Sequence, residues 1–145
     1  MDFEKVTLIN LKYFVNLVLE LWNDCDFDEE YREYEKLLNL NNHFLYMAKN
    51  AYEYIAFIHT SIRNEYVEGA EKLPVAYIEG IYVKPKYQNK GIAKQFVNEA
   101  EIWARNQNIE QIASDTDLTN EQSIQFHKKI GFQEVEKVVC FIKDL

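Results

Sequence analysis

The stretch from Val75 to Gln107 constrains this chain most, because it spells a strand, a glycine-bearing loop and a helix in direct succession. Val75-Ala76-Tyr77-Ile78-Glu79-Gly80-Ile81-Tyr82-Val83 is rich in β-branched and aromatic residues, while Ile92, Phe96, Val97, Ala100, Trp103 and Ala104 recur at helical spacing. The loop between them centres on Gln88-Asn89-Lys90-Gly91-Ile92-Ala93. First-turn N–H groups have no partner within a helix, and the helix dipole favours negative charge at that end, so the arrangement suits a phosphate. Gly91 removes the Cβ that would keep such a group from the backbone. A glycine in a strand-to-helix turn also serves purely conformational ends, so the loop by itself leaves function open.

The strand ahead of the loop carries an anomaly. Glu79 stands among Tyr77, Ile78, Ile81 and Val83, where an ionised carboxylate is costly unless it faces water, a partner or a ligand. Gly80 beside it is equally foreign to a strand interior and marks a bulge or a close approach by another group. Together they predict a strand that bends open.

Around this centre the remaining elements follow in order. Phe3 to Ile9 reads as a short edge strand, and Asn10 as the cap of a helix carrying Leu11, Phe14, Val15, Val18, Leu21 and Trp22. Asp28, Glu29 and Glu30 suit the first turn of a second helix with Tyr31, Tyr34, Leu37 and Leu38. Phe44–Lys49 and Tyr52–Arg63 form a hairpin, and the polar stretch Asn64–Pro74 is too long for a tight turn and flanks the cleft. Gln111 to Asp117 reads as a short strand ending in polar residues; strand ends are where α/β sheets present ligand groups, which makes Asp115 a candidate and Asp117 a weaker one. Asn120 caps the last helix, and Gln133 to Ile142 reads as a terminal strand.

Length, charge and cysteine content narrow the class. At 145 residues the chain is one domain, 1–145, able to bury a single core. A formal charge of −8 argues against nonspecific nucleic-acid binding and suits a cationic ligand, although many acidic proteins are acidic only for solubility. Cys25 and Cys140 match no metal spacing and read as reduced thiols. No apolar run is long enough to cross a bilayer and the N-terminus has no signal-like pattern, which gives an expectation of a cytoplasmic protein with no membrane partner.

Two motifs then join in the expected order. Val83-Lys84-Pro85-Lys86-Tyr87-Gln88-Asn89-Lys90-Gly91-Ile92-Ala93 resembles the acetyl-CoA signature of the GCN5-related N-acetyltransferases, and Asn120-Glu121-Gln122-Ser123-Ile124-Gln125-Phe126-His127-Lys128-Lys129-Ile130-Gly131-Phe132 resembles that family's second motif. The resemblance covers nearly the whole chain. It implies an α/β fold, a mixed sheet of about six or seven strands flanked by about four helices, with a splayed central strand pair forming the acetyl-CoA cleft. It further implies cofactor contacts from Ile81, Tyr82 and Val83 on the bulged strand, from Gln88, Asn89, Lys90, Gly91, Ile92, Ala93 and Lys94 in the loop, and from Asn120. No metal is implied. Many members have a tyrosine four residues before the Gly of Gly-Phe, proposed to protonate the leaving thiolate; here that position is His127, a departure that still leaves a proton donor.

The segments Ser61–Gly69, Pro74–Ile81, Glu101–Ala104 and Ala113–Asp115 are similar to the short chromosomal group of aminoglycoside 6'-N-acetyltransferases. That similarity implies a cationic aminoglycoside site drawn from Trp22, Tyr66, Glu79, Asp115 and Glu136, and a homodimer. The chemistry is coherent: carboxylates hold ammonium groups and aromatic side chains pack on sugar faces. For direct transfer to the amine, Glu79 is the candidate to bind the ammonium and accept its proton, directly or through water, with Asp115 sharing the charge. Polyamine or protein-amine acetylation, and a non-catalytic acyl-CoA-binding module, are the competing readings.

Overall fold

A computed structural model describes all of residues 1–145. Its framework is a five-stranded sheet in sequence order, β1 (Asp2–Lys5), β2 (His43–Asn50), β3 (Glu53–Arg63), β4 (Val75–Val83) and β5 (Ile112–Ala113). The first four strands pair antiparallel and β5 joins β4 in parallel. Helices α1 (Leu11–Leu21), α2 (Phe27–Leu37), α3 (Ile92–Arg105) and α4 (Glu121–Lys129) complete the elements. None is long and apolar enough to cross a membrane.

β3 is the central strand and is buried continuously from Ile55 to Ser61, because both faces of the sheet are covered. Alternation along it divides the core. Phe57 packs with Phe14, Val18, Tyr34 and Met47 on the α1/α2 side, whereas Ala56 and Ile58 pack with Phe96, Val97 and Ala100 of α3 on the other. Phe14, Phe57 and Phe96 are fully buried, each contributing roughly 2–3 kcal/mol of apolar burial.

The helix ends follow local chemistry, with one exception. The Asp26 carboxylate accepts from the Glu29 amide at 3.0 Å and the Asn120 side chain accepts from the Ser123 amide at 3.1 Å, the expected N-cap geometry. Asn10 does not cap α1 with its side chain. Its Oδ1 accepts from the Thr7 amide and its Nδ2 reaches the Lys5 carbonyl and Glu4, so it ties the chain leaving β1 instead.

Two further expectations change. The sheet has five strands, not six or seven, and the shortfall lies at the C-terminus. Gln133–Ile142 is not a strand; residues 133–145 have no regular secondary structure and make no backbone hydrogen bond to the rest of the chain. An alternating sequence becomes a strand only where another edge supplies the ladder, and no edge of this chain reaches it.

β4 is irregular where Glu79 and Gly80 stand. His59 lies opposite Gly80 and Thr60 opposite Ile78, so Glu79 is the extra, unpaired residue of a bulge. Pairing of β4 with β5 is confined to Ala76–Ile112 and Tyr77–Ala113. From Ile78 onward this edge of β4 has no strand partner, which is the expected splay.

Beside the bulge lies a histidine pair, His43 Nδ1 and His59 Nε2, 2.9 Å apart. His59 is buried against the Tyr34 ring from α2, His43 from β2 and the charge of Glu79 from β4. Burial, reinforced by His43, pushes His59 down to about 4, against the opposing pull of Glu79. The unfolded chain therefore binds a proton near pH 6.5 that the folded chain refuses until about 4, so this group's contribution to stability is present above 6.5 and is lost as pH falls through that window. We expect urea midpoints to decline between pH 6.5 and 5, and the decline to flatten in His59→Gln; an equal slope in the variant would remove His59 as its source.

Candidate active site

The loop after β4 is held by its own side chains. Pro85–Tyr87 forms a short 3-10 turn, and Gln88 Nε2 donates to the Val83 carbonyl at 2.9 Å, so the Gln88 side chain braces the loop from within. Asn89 and Gly91 both take positive φ, 60° and 83°. The consequence is a run of six consecutive amides, Asn89 to Lys94, none of which donates to a backbone carbonyl or a side chain of the protein. A Cβ added at Gly91 would meet nothing within 4 Å, so open space lies over these amides. The Ile92 side chain is buried and Ala93 packs against the core, leaving both to present only their N–H groups. This cradle fits a pyrophosphate by charge, by donor count and by clearance.

Ile81, Tyr82 and Val83 lie on the unpartnered edge of β4 leading to that loop. The Tyr82 hydroxyl donates to Glu20 at 2.9 Å, so its contribution to the cleft is its backbone. Asn120 is likewise committed, its side-chain oxygen capping α4.

The acidic residues gather where the two parallel strands part. Tyr77–Ala113 is the last pair, and Glu79 and Asp115 each lie two residues beyond it, on opposite sides of the opening. Ser61 Oγ donates to Glu79 Oε1 at 2.6 Å, while Arg63 donates through Nε to Oε1 at 2.9 Å and through Nη2 to Oε2 at 2.8 Å. Partial burial works to raise the Glu79 carboxyl, but the hydrogen bonds from Arg63 and Ser61 and the charge of Arg63 outweigh it and hold the group below its ordinary value. The guanidinium lies 3.5 Å from the centre of the Tyr77 ring, and the Tyr77 hydroxyl donates to Asp115. Burial and that carboxylate push the Tyr77 hydroxyl up, so it stays protonated.

A cavity of about 410 Å³ opens next to this cluster. Asp115, His127, Tyr66 and Glu136 line it; Glu79 and Trp22 do not. Tyr66 is 76% exposed and its hydroxyl donates to Glu68, another wall residue. Trp22 instead rests on the bulge, its ring filling the space that a Cβ at Gly80 would need, 2.6 Å from Cη2. His127 is held at both nitrogens. Nδ1 lies 2.7 Å from the Ser123 carbonyl, which can only accept, so in the neutral ring Nδ1 carries the proton and Nε2 accepts from Ser114 Oγ at 2.8 Å. A proton leaves this ring toward the cavity only from its doubly protonated form.

Sequence reasoning did not single out Ser61, Arg63, Tyr77, Glu68 or Ser114. A signal existed for three of them: Ser61 and Arg63 share one face of β3 by the two-residue period, and Tyr77 shares a spacing with Glu79 on β4. What could not be read was the register that sets Ser61 opposite Tyr77 and so puts Tyr77 on the face that Ser61 and Arg63 share.

With this geometry in hand, comparison with known proteins is specific. The profile of the acetyltransferase (GNAT) family matches residues 6–132. An aminoglycoside N(6')-acetyltransferase type 1 of Acinetobacter haemolyticus is 36% identical over 145 residues, covering 100% of this chain and 99% of that protein. The crystal structure of an aminoglycoside 6'-N-acetyltransferase from the same organism, AAC(6')-Ig in its apo form, superposes with a TM-score of 0.91 at 35% identity, covering 100% of this chain and 99% of that one. AAC(6')-Iy bound to the bisubstrate analogue CoA-S-monomethyl-acetylneamine superposes with a TM-score of 0.94 at 30% identity, covering 99% and 98%.

The contact of Trp22 with the bulge yields a test. Gly80→Ala cannot keep the indole in place, so in a Trp103→Phe background the Trp22 emission should shift while far-UV circular dichroism is retained; unchanged emission would mean that the ring does not rest on Gly80.

Proposed function

Because this chain belongs to the acetyltransferase (GNAT) family, we propose that it acetylates the 6'-amine of aminoglycoside antibiotics with acetyl-CoA, as one catalytic domain, and so confers resistance to them. The observation that carries this reading is the opening of β4 and β5 with Glu79 and Asp115 on its two sides, between the amide cradle at Asn89–Lys94 and the acid-walled cavity. Bound there, acetyl-CoA supplies an acetyl thioester. Every other part of the chemistry falls to residues of the chain.

The amides of Asn89–Lys94 hold the pyrophosphate and those of Ile81–Val83 position the arm that follows, one of them polarising the carbonyl oxygen. Asp115, Glu68 and Glu136 attract the polycation into the cavity, Tyr66 packs on a sugar face, and Trp22 backs the bulge beside Glu79. Glu79, held below its ordinary value, is ionised throughout the neutral range: it is a counter-ion for the ammonium first. The ammonium has no lone pair, so it first gives a proton to Glu79, directly or through water; the neutral amine then attacks the thioester carbon, and the second proton that nitrogen sheds balances the one the departing sulfur receives. His127, braced by Ser123 and Ser114, is the candidate donor to the departing sulfur. Acetylation removes one positive charge from the antibiotic.

The same reading makes the protein a cytoplasmic homodimer. Val138, Val139, Phe141 and Ile142 of the tail are 62–97% exposed without a partner in the chain, an apolar strip of the kind that a second copy covers.

Thiol release from acetyl-CoA should occur with kanamycin or tobramycin but not with a 6'-hydroxy aminoglycoside, and Glu79→Gln should lower turnover by about 10²-fold or more with acetyl-CoA affinity retained. Release with spermidine alone would move the substrate to a polyamine, and silence with every amine would favour a binding module. Sedimentation velocity of the full chain should give a dimer that Phe141→Asp shifts toward monomer; a wild-type monomer at assay concentration would overturn the assembly.

A further inference from the structure

The carboxylate assigned to the acceptor amine already holds a cation. Of the four lone-pair directions of Glu79, Ser61 and the two arms of Arg63 take three. Arg63 is fixed on its face as well as its edge, by the Tyr77 ring at 3.5 Å, and Tyr77 is fixed in turn by Asp115. Arg63, Tyr77 and Asp115 all line the cavity, and Glu79 does not. An ammonium arriving from the cavity therefore meets Asp115 and a guanidinium before it meets Glu79.

We infer that Arg63 is a specificity-determining residue, a resident cation on Glu79 that an acceptor must displace or share with, so that acceptors carrying several ammonium groups are selected over those carrying one. The inference rests on the reading that Glu79 receives the acceptor amine. A two-armed, charge-assisted fork is a stronger partner for a carboxylate than one ammonium, so a monoamine loses more at Glu79 than it gains. A polycation offsets that loss, because a second ammonium engages Asp115, Glu68 or Glu136 on the wall while the first competes at Glu79. The exchange is feasible because the Arg63 side chain is 40% exposed, and water solvates the guanidinium as it yields.

This differs from a simple effect of charge. Deleting a positive group from an acidic cavity by itself favours the more highly charged ligand. Deleting a competitor for one carboxylate favours the ligand that has only one group to place there.

The test compares methyl 6-amino-6-deoxy-glucopyranoside, with a single ammonium, and kanamycin, as acceptors for wild type, Arg63→Lys and Arg63→Met. The expected result is a KM for the monoamine that falls by about tenfold in Arg63→Met, the scale of one charge-assisted hydrogen bond, with Arg63→Lys between. The KM for kanamycin moves less, and kcat changes by the same factor for both, since both acceptors use the one Glu79. A monoamine-to-kanamycin KM ratio that stays at the wild-type value or widens would overturn the inference and reduce Arg63 to a brace for Glu79. If Arg63→Met does not fold, the ratio in Arg63→Lys decides in the same way. Glu79→Gln in an otherwise wild-type chain is measured beside them: retained turnover there would overturn the assignment of Glu79 itself, an outcome distinct from failure of the Arg63 comparison.

Discussion

Everything the site offers follows from one irregularity, the bulge that leaves Glu79 unpaired between Ile78 and Gly80. A regular ladder would hold β4 flat against its neighbours and alternate Glu79 to one face with Tyr77 and Ile81. The extra residue instead flips the strand beyond it, so that Gly80 and Tyr82 take the face of Tyr77 in place of Ile81 while Glu79 stays beside Ser61 and Arg63, and beyond Tyr77 the parallel pairing ends. The edge of β4 that this frees runs into the Lys84–Gly91 turn, which leads directly to the unpaired amides of Asn89–Lys94. Gly80 completes the device, since only a residue without Cβ lets the Trp22 ring settle on the bulge.

Electrostatics then separates the two halves of the opening. The cradle presents N–H groups at a helix N-terminus and selects an anion, whereas the cavity presents Asp115, Glu68 and Glu136 and selects a cation. The chain's charge of −8 serves the second half, and the first half tolerates it because its donors are backbone dipoles held by geometry. Arg63 lines the second half and is the cation bound to Glu79, so the strength of the acid site is set by a residue of β3 as well as by the acid itself.

Legibility in the sequence tracked how local each feature is. The loop and α3 were readable because glycine spacing and helical periodicity act over a few residues, and Glu79-Gly80 was readable because both residue types are out of place in a strand. The Asn10 cap was misjudged because its side chain answers to the turn at Thr7 and to Glu4, partners that only the approach of β1 to α1 supplies. Glu79 and Trp22 were expected to face the acceptor directly, yet neither lines the cavity. Arg63 covers the first, and the bulge draws the second onto Gly80.

By itself, then, the sequence determined the order of elements, the phosphate-type loop and the presence of a misplaced acid in a buried strand. These depend on period, propensity and the conformational range of glycine, all of which act within one element. Only the tertiary structure decided that Ser61 and Arg63 converge on Glu79, that Tyr77 links Arg63 to Asp115, and that Gln133–Ile142 stays unpaired. Each of these depends on strand register or on the nearness of a second edge, and a shift of one residue in register would send every side chain of a strand to the other face.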